Sequence, residues 1–124
     1  GSPAMNLLVA PVSGGVAKLG GLSIPVPSSA GSTVTVGVRP ESFTPSSAGF
    51  DVLVEVVEEL GADAFVYGKP ADSTIKFAHS SDEGAQVIIR WDPKSPPKPG
   101  TTISVVANPE AIHLFDSATG VRLK

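Results

Sequence analysis

The chain has 124 residues, 41 % of them apolar and 17 % charged, so it is one ordinary domain able to bury a core and not a disordered segment. A net charge of −3 and a pI near 5.2 argue against a nucleic-acid binder, which needs a basic face to release counterions from phosphates. Cysteine is absent, which excludes disulfides and thiolate metal sites. No apolar run approaches the roughly 20 residues that cross a bilayer as a helix, and no charged-then-apolar leader is visible.

Twelve prolines and thirteen glycines would keep interrupting long helices, but they suit short strands joined by turns. Taken in order, Leu7–Val12 reads as a strand ended by Ser13-Gly14-Gly15. Val16–Leu19 and Leu22–Val26 flank Gly20-Gly21, a two-residue hairpin turn. Pro27–Ser32 is a loop. Thr33–Arg39 alternates apolar with small or polar residues, as a half-buried strand does, and Pro40 ends it.

Thr44–Gly49 reads as a second polar loop. Phe50–Leu60 alternates Phe50, Val52, Val54 and Val56 with Asp51, Leu53 and Glu55. It can also be drawn as a helix with Glu58 and Glu59 on its polar side, but its crowd of valines favours a strand. Gly61-Ala62-Asp63 turns the chain into a strand over Ala64–Lys69, making a hairpin. Strands at Thr74–Ala78 and Ala85–Trp91 follow, separated by the polar Ser80–Gly84. A proline-rich surface connection, Asp92–Gly100, leads to a strand at Thr101–Ala107. Asn108-Pro109-Glu110 starts a helical turn, with Asn108 as its cap and Pro109 in first position. Ile112–Phe115 is extended again and Asp116–Gly120 is the last turn. The count is about nine or ten short strands, with no convincing helix and no internal repeat: an all-β barrel or sandwich.

The chemistry-bearing residues point to no catalysis. No glycine is followed by Lys-Ser or Lys-Thr, so the phosphate-binding loop of nucleotide sites is not present in the sequence. Ser13-Gly14-Gly15 reads as a turn, since Val16 stands where an ATPase signature has glutamine. His79 and His113 lack companions at metal-ligand spacing. His113, among Ile112, Leu114 and Phe115, reads as a packed or edge histidine, and His79 as solvated. Glu55, Glu58 and Glu59 read as a solvated strand edge, or more sharply as a charged partner contact. Trp91 reads as a core or rim anchor, with sugar stacking as the alternative.

Further stretches resemble a known family. Gly1-Ser2-Pro3-Ala4-Met5-Asn6-Leu7-Leu8 looks like the segment that follows the ATPase core in ATP-binding subunits of sugar-type ABC importers, where the family carries Gly-Ser. Val36-Gly37-Val38-Arg39-Pro40-Glu41 resembles that family's Gly-Val/Ile-Arg-Pro-Glu motif. Val56-Val57-Glu58-Glu59-Leu60-Gly61 resembles its V-x-x-L-G. Asn108-Pro109-Glu110-Ala111-Ile112-His113-Leu114-Phe115-Asp116 is similar to its closing Pro-Glu-x-x-His-Leu-Phe.

Together they resemble the C-terminal regulatory region, the TOBE domain, of importers for maltose, trehalose, multiple sugars or glycerol 3-phosphate. The resemblance implies one regulatory domain over residues 1–124, folded as an OB-fold-like β-barrel with additional strands. It implies a place on the cytoplasmic side of the membrane, contact with a second ATP-binding subunit and, through the parent protein, with permease subunits. In some members such a domain receives regulatory proteins or metabolites. ATP and magnesium are expected only in an ATPase core upstream, so no catalytic, cofactor or metal residue is assigned here.

The residues singled out as structural or interface positions are Arg39, Pro40, Glu41, Glu58, Glu59, Gly61, Asn108, Pro109, Glu110 and His113. Pro40 forces Arg39 into an extended conformation, and Arg39 and Glu41 are expected to pair with neighbouring loops or a partner subunit. Gly61 is expected to supply a positive-φ turn. The alternative function is a small-ligand barrel holding an oxyanion or metabolite, although no Ser-Ala-Arg-Asn type motif is present. A nucleic-acid-binding OB-fold is the third and weakest.

Overall fold

A computed structural model describes residues 4–78 and 84–123. Ten strands are formed among these residues: β1 Asn6–Ser13, β2 Val16–Leu19, β3 Leu22–Pro25, β4 Thr33–Val38, β5 Phe43–Leu60, β6 Asp63–Pro70, β7 Lys76–Phe77, β8 Val87–Trp91, β9 Thr102–Ala107 and β10 Ile112–Asp116. Two 3-10 turns, Pro40–Ser42 and Pro109–Ala111, are the helical elements. One sheet has the order β10-β4-β1-β2-β3 with β7 also on β1, and the other has the order β8-β6-β5-β9. Every strand pairing is antiparallel.

The core lies between the sheets. Leu8, Val34, Val36 and Val38 of the first meet Val52, Val54, Val66, Ile89 and Val105 of the second. This is the all-β, OB-fold-like architecture expected from the sequence. The glycine turns also hold. In the β1–β2 hairpin, Ser13 pairs with Val16, and Gly14 and Gly15 take φ of 60° and 77°. A turn with two positive φ values matches the twist of the strands it joins. Gly61 takes φ of 73° between Leu60 and Asp63, as expected.

Three readings are corrected. Thr44–Gly49 is not a loop but part of β5. Val105 of β9 stands opposite both Pro45 and Phe50, so the residues between them bulge out of the ladder. A bulge keeps a strand continuous while admitting extra, unpaired residues, which is why polar small residues there read as a loop. The bulge has a tertiary function: Gly21 N–H donates to Gly49 O at 2.9 Å, tying the β2–β3 turn of one sheet to the other sheet. Phe43 and Phe50, at its two ends, pack with ring centroids 6.2 Å apart.

The second correction concerns β4, which is not half-buried. Thr35 and Gly37 are buried as well as the valines, because β1 and β10 flank the strand and Met5, Leu7 and Phe115 cover its outer side at Gly37. Third, the strand read at Thr74–Ala78 is only Lys76–Phe77, paired with Val9 and Leu8.

Arg39-Pro40-Glu41-Ser42-Phe43 and Asn108-Pro109-Glu110-Ala111-Ile112 are two copies of one crossing. The residue before each proline is extended (φ/ψ −72°/150° and −62°/132°), each proline opens a 3-10 turn, and the residue after each turn is extended again. Ser42 N–H donates to Arg39 O at 2.9 Å and Ala111 N–H to Asn108 O at 2.8 Å. The first turn carries the chain from β4 to β5 and the second carries it back from β9 to β10. Since β4 pairs with β10 and β5 with β9, the two crossings run antiparallel, side by side.

Candidate functional site

The motifs converge on one end of this barrel. Val38, just before the Arg-Pro-Glu turn, pairs with Ile112, just after the Asn-Pro-Glu turn, and Phe43 pairs with Ala107 on the other sheet. The β5–β6 hairpin reaches the same end, where Glu41, Ala62, Asp63, Arg90, Trp91, Asp92 and Pro93 line a shallow cleft. Pro40 is buried, while Arg39 and Glu41 are exposed. The expected pairing of Arg39 and Glu41 with neighbouring loops is not found among the described residues. Among the described residues, the ion pair at this end joins Arg90 to Asp63 at 3.1 Å. The geometry of Pro40 explains why: it fixes the backbone exit, and the flanking charges are left pointing into solvent.

The second turn is capped as expected, the Asn108 side chain accepting from Glu110 N–H at 3.0 Å. Pro109 holds the first turn position, and Glu110 is exposed. Glu59 is exposed at the hairpin end. Glu58 points across β5 onto β6, where its Oε1 accepts from the Tyr67 hydroxyl at 3.1 Å. Partial burial, followed by that carboxylate, raises the Tyr67 pKa above the usual phenol value. Trp91 packs against the core and donates from Nε1 to Ser95 O at 3.0 Å, so it is a rim anchor whose indole N–H is already used.

His113 is not part of this end. It lies on β10, half-buried, with Nδ1 2.8 Å from an Arg122 amino nitrogen. A guanidinium only donates, so Nδ1 is the acceptor and the ring proton sits on Nε2. His79 falls outside the described residues. Among the described residues no group of three or more metal-binding side chains comes together.

The residue that sequence reasoning missed is Asn6, which is only 6 % exposed. Its Nδ2 donates to Val38 O at 3.0 Å and to Ile88 O at 2.8 Å, and its Oδ1 accepts from Ile88 N–H at 2.8 Å. The side-chain amide thus imitates a strand partner for the edge of β8 and sews the two sheets together beside the Arg-Pro-Glu turn. The only available signal was an amide residue directly before an apolar run.

Comparison with known proteins agrees with this picture. A family model described as the MalK OB fold domain matches residues 1–43, and the TOBE domain model matches residues 36–115. The chain belongs to the TOBE domain family. It is 38 % identical over 126 residues to the sn-glycerol-3-phosphate import ATP-binding protein UgpC of Cereibacter sphaeroides, covering 99 % of this chain and 33 % of that protein. It is 36 % identical over 148 residues to the diacetylchitobiose uptake system ATP-binding protein MsiK of Streptomyces coelicolor, covering 99 % of this chain and 37 % of the relative. The chain therefore spans about a third of the length of the curated relatives it matches. Among the described residues, no helix is long and apolar enough to cross a membrane.

Proposed function

We propose that this TOBE domain is the non-catalytic regulatory and subunit-association part of the ATP-binding subunit of a carbohydrate-type ABC importer, for sugars such as trehalose or maltose or for glycerol 3-phosphate. The observation that carries the reading is the convergence of the Arg-Pro-Glu, Leu-Gly and Asn-Pro-Glu segments on one end, with prolines buried or in turns and charges facing out. Such an end is built to present a fixed surface to a neighbour. The neighbours are a second ATP-binding subunit and, through the parent protein, the permease subunits on the cytoplasmic side of the membrane. ATP and magnesium belong to the ATPase core.

A second reading is a metabolite site. A cleft lined by Leu7, Thr35, Phe115, Asp116 and the turn Ser117–Gly120 is its place on the fold. The Asp116 carboxylate would repel an oxyanion, so a neutral polyol is the ligand class that fits this cleft.

The test of the first reading uses the parent subunit. Removing this domain is expected to weaken nucleotide-dependent pairing of ATP-binding subunits in analytical ultracentrifugation, and Glu41→Lys with Arg39→Glu to reproduce part of that loss. Unchanged pairing in both, or tight ATP binding by the domain itself in calorimetry, overturns it.

A further inference from the structure

The outer face of the second sheet carries apolar residues that the core does not use. Alternation from Phe50 through Val52 and Val54 directs Val56 inward. The structure sends it out instead, because the β5–β6 register shifts between Val54 and Val56, leaving Glu55 as the bulged residue. Bulges re-aim side chains, and this one turns a core-type valine to solvent. Leu53, Val56 and Leu60 are 40 %, 51 % and 57 % exposed, all on β5. Directly opposed residues share a face, so Val56, Tyr67 and Ile88 form one row and Glu58, Phe65 and Arg90 the next. The result is a contiguous apolar strip, of the kind that marks an interaction surface on a soluble domain.

The charges around the strip say what fits it. Among the described residues, three carboxylates border Val56, Tyr67 and Leu60 on this face, Glu55, Glu58 and Asp63, against two cations. Both cations are engaged within the face: Arg90 pairs with Asp63 at 3.1 Å and Lys69 donates to Ala85 O at 2.9 Å. Among the described residues, Glu55 and Glu58 accept from neutral donors, the Gln86 amide and the Tyr67 hydroxyl, which leave the carboxylate charge in place. A second copy docked on this face would bring a second set of the same carboxylates into the contact. Nucleic acid and anionic lipid carry the wrong sign.

We infer that the outer face of β5, β6 and β8 is a docking surface for a cationic amphipathic protein segment, with apolar side chains over Val56, Tyr67 and Leu60 and Lys or Arg against Glu55 and Glu58. This deepens the regulatory reading and rests on it for the partner being a protein. It concerns the outer face of the second sheet, which runs up to the motif-bearing end at Leu60, Asp63 and Arg90.

The probe is a short peptide of alternating leucine and lysine, with the leucine–glutamate peptide as control, titrated at low salt into the isotope-labelled chain and followed by amide chemical shifts. The lysine peptide is expected to shift resonances on β5, β6 and β8 and to bind at least about tenfold tighter than the glutamate peptide, with affinity falling as salt rises. Val56→Asp with Leu60→Asp should weaken binding about tenfold or more while the melting curve shows a folded domain. Glu55→Lys with Glu58→Lys should reverse the preference. Equal binding of both peptides, shifts mapping elsewhere, or self-association through this face that Val56→Asp abolishes overturns the inference. None of these readouts involves subunit pairing or ATP hydrolysis, so its failure leaves the association role standing and is not confused with failure of that role.

Discussion

Replacing Asn6 by alanine is expected to loosen the joint between the two sheets. The side chain makes three hydrogen bonds, and the two to Ile88 satisfy both backbone groups of that residue on the free edge of β8. A typical bond contributes about 1 kcal/mol net, and a buried group left without its partner costs about 1–3 kcal/mol. Because water reaches the partly buried Ile88 edge and offsets some of this, the expected loss is about 3 kcal/mol. For a domain of this size that lowers the melting temperature by about 12 °C.

Urea and thermal denaturation followed by circular dichroism measure both quantities. Asn6→Asp sharpens the test. Its carboxylate would face two carbonyl oxygens, so the neutral acid is the form the fold favours and its folded pKa is raised. The deficit should then shrink as pH falls from the raised folded value to about 4, and stay constant below that, where a carboxyl is neutral even in the unfolded chain. A loss under about 1 kcal/mol for Asn6→Ala, or a deficit for Asn6→Asp that ignores pH, would refute the bridging account.

Gly68, paired with both Val54 and Val87, has no room for a side chain: an added Cβ collides with the Leu53 carbonyl oxygen. Gly68→Ala should therefore cost about 1–3 kcal/mol in urea denaturation. Gly61 has open space around its missing Cβ but a φ of +73°, so Gly61→Ala should cost only about 1 kcal/mol, from backbone strain alone, with unchanged spectra elsewhere. Asp116 titrates below the usual carboxylate range because the backbone N–H groups of Thr119 and Ala118 favour its charged form. Its contribution is present above the unfolded value near about 3.9 and is lost as pH falls through the lower folded value. Protection of the Ala118 and Thr119 amides against hydrogen exchange, relative to their intrinsic rates, should accordingly fall in acid, and Asp116→Asn, which keeps the acceptor, should flatten that dependence.

Much of the fold was legible because its signals are local. Gly14, Gly15, Gly20 and Gly61 mark turns that need positive φ, and Pro40 and Pro109 dictate the conformation of the residue before each of them. Asn108 caps its turn through a neighbour two residues on. Dihedral preference and short-range hydrogen bonding are properties of a few adjacent residues, so one sequence suffices to read them.

What tertiary structure decided is the phase of the strands and the identity of the bridges. Whether Val56 faces the core depends on a register shift against Tyr67, and whether Ser46–Gly49 is loop or strand depends on Val105 meeting both Pro45 and Phe50. Thr35 and Gly37 are buried by strands and side chains that local alternation cannot foresee. Asn6 acts on Ile88, far along the chain. Each of these is set by partners distant in sequence, brought close only when the two sheets close over their common core. The same closure turns separate motifs into one surface.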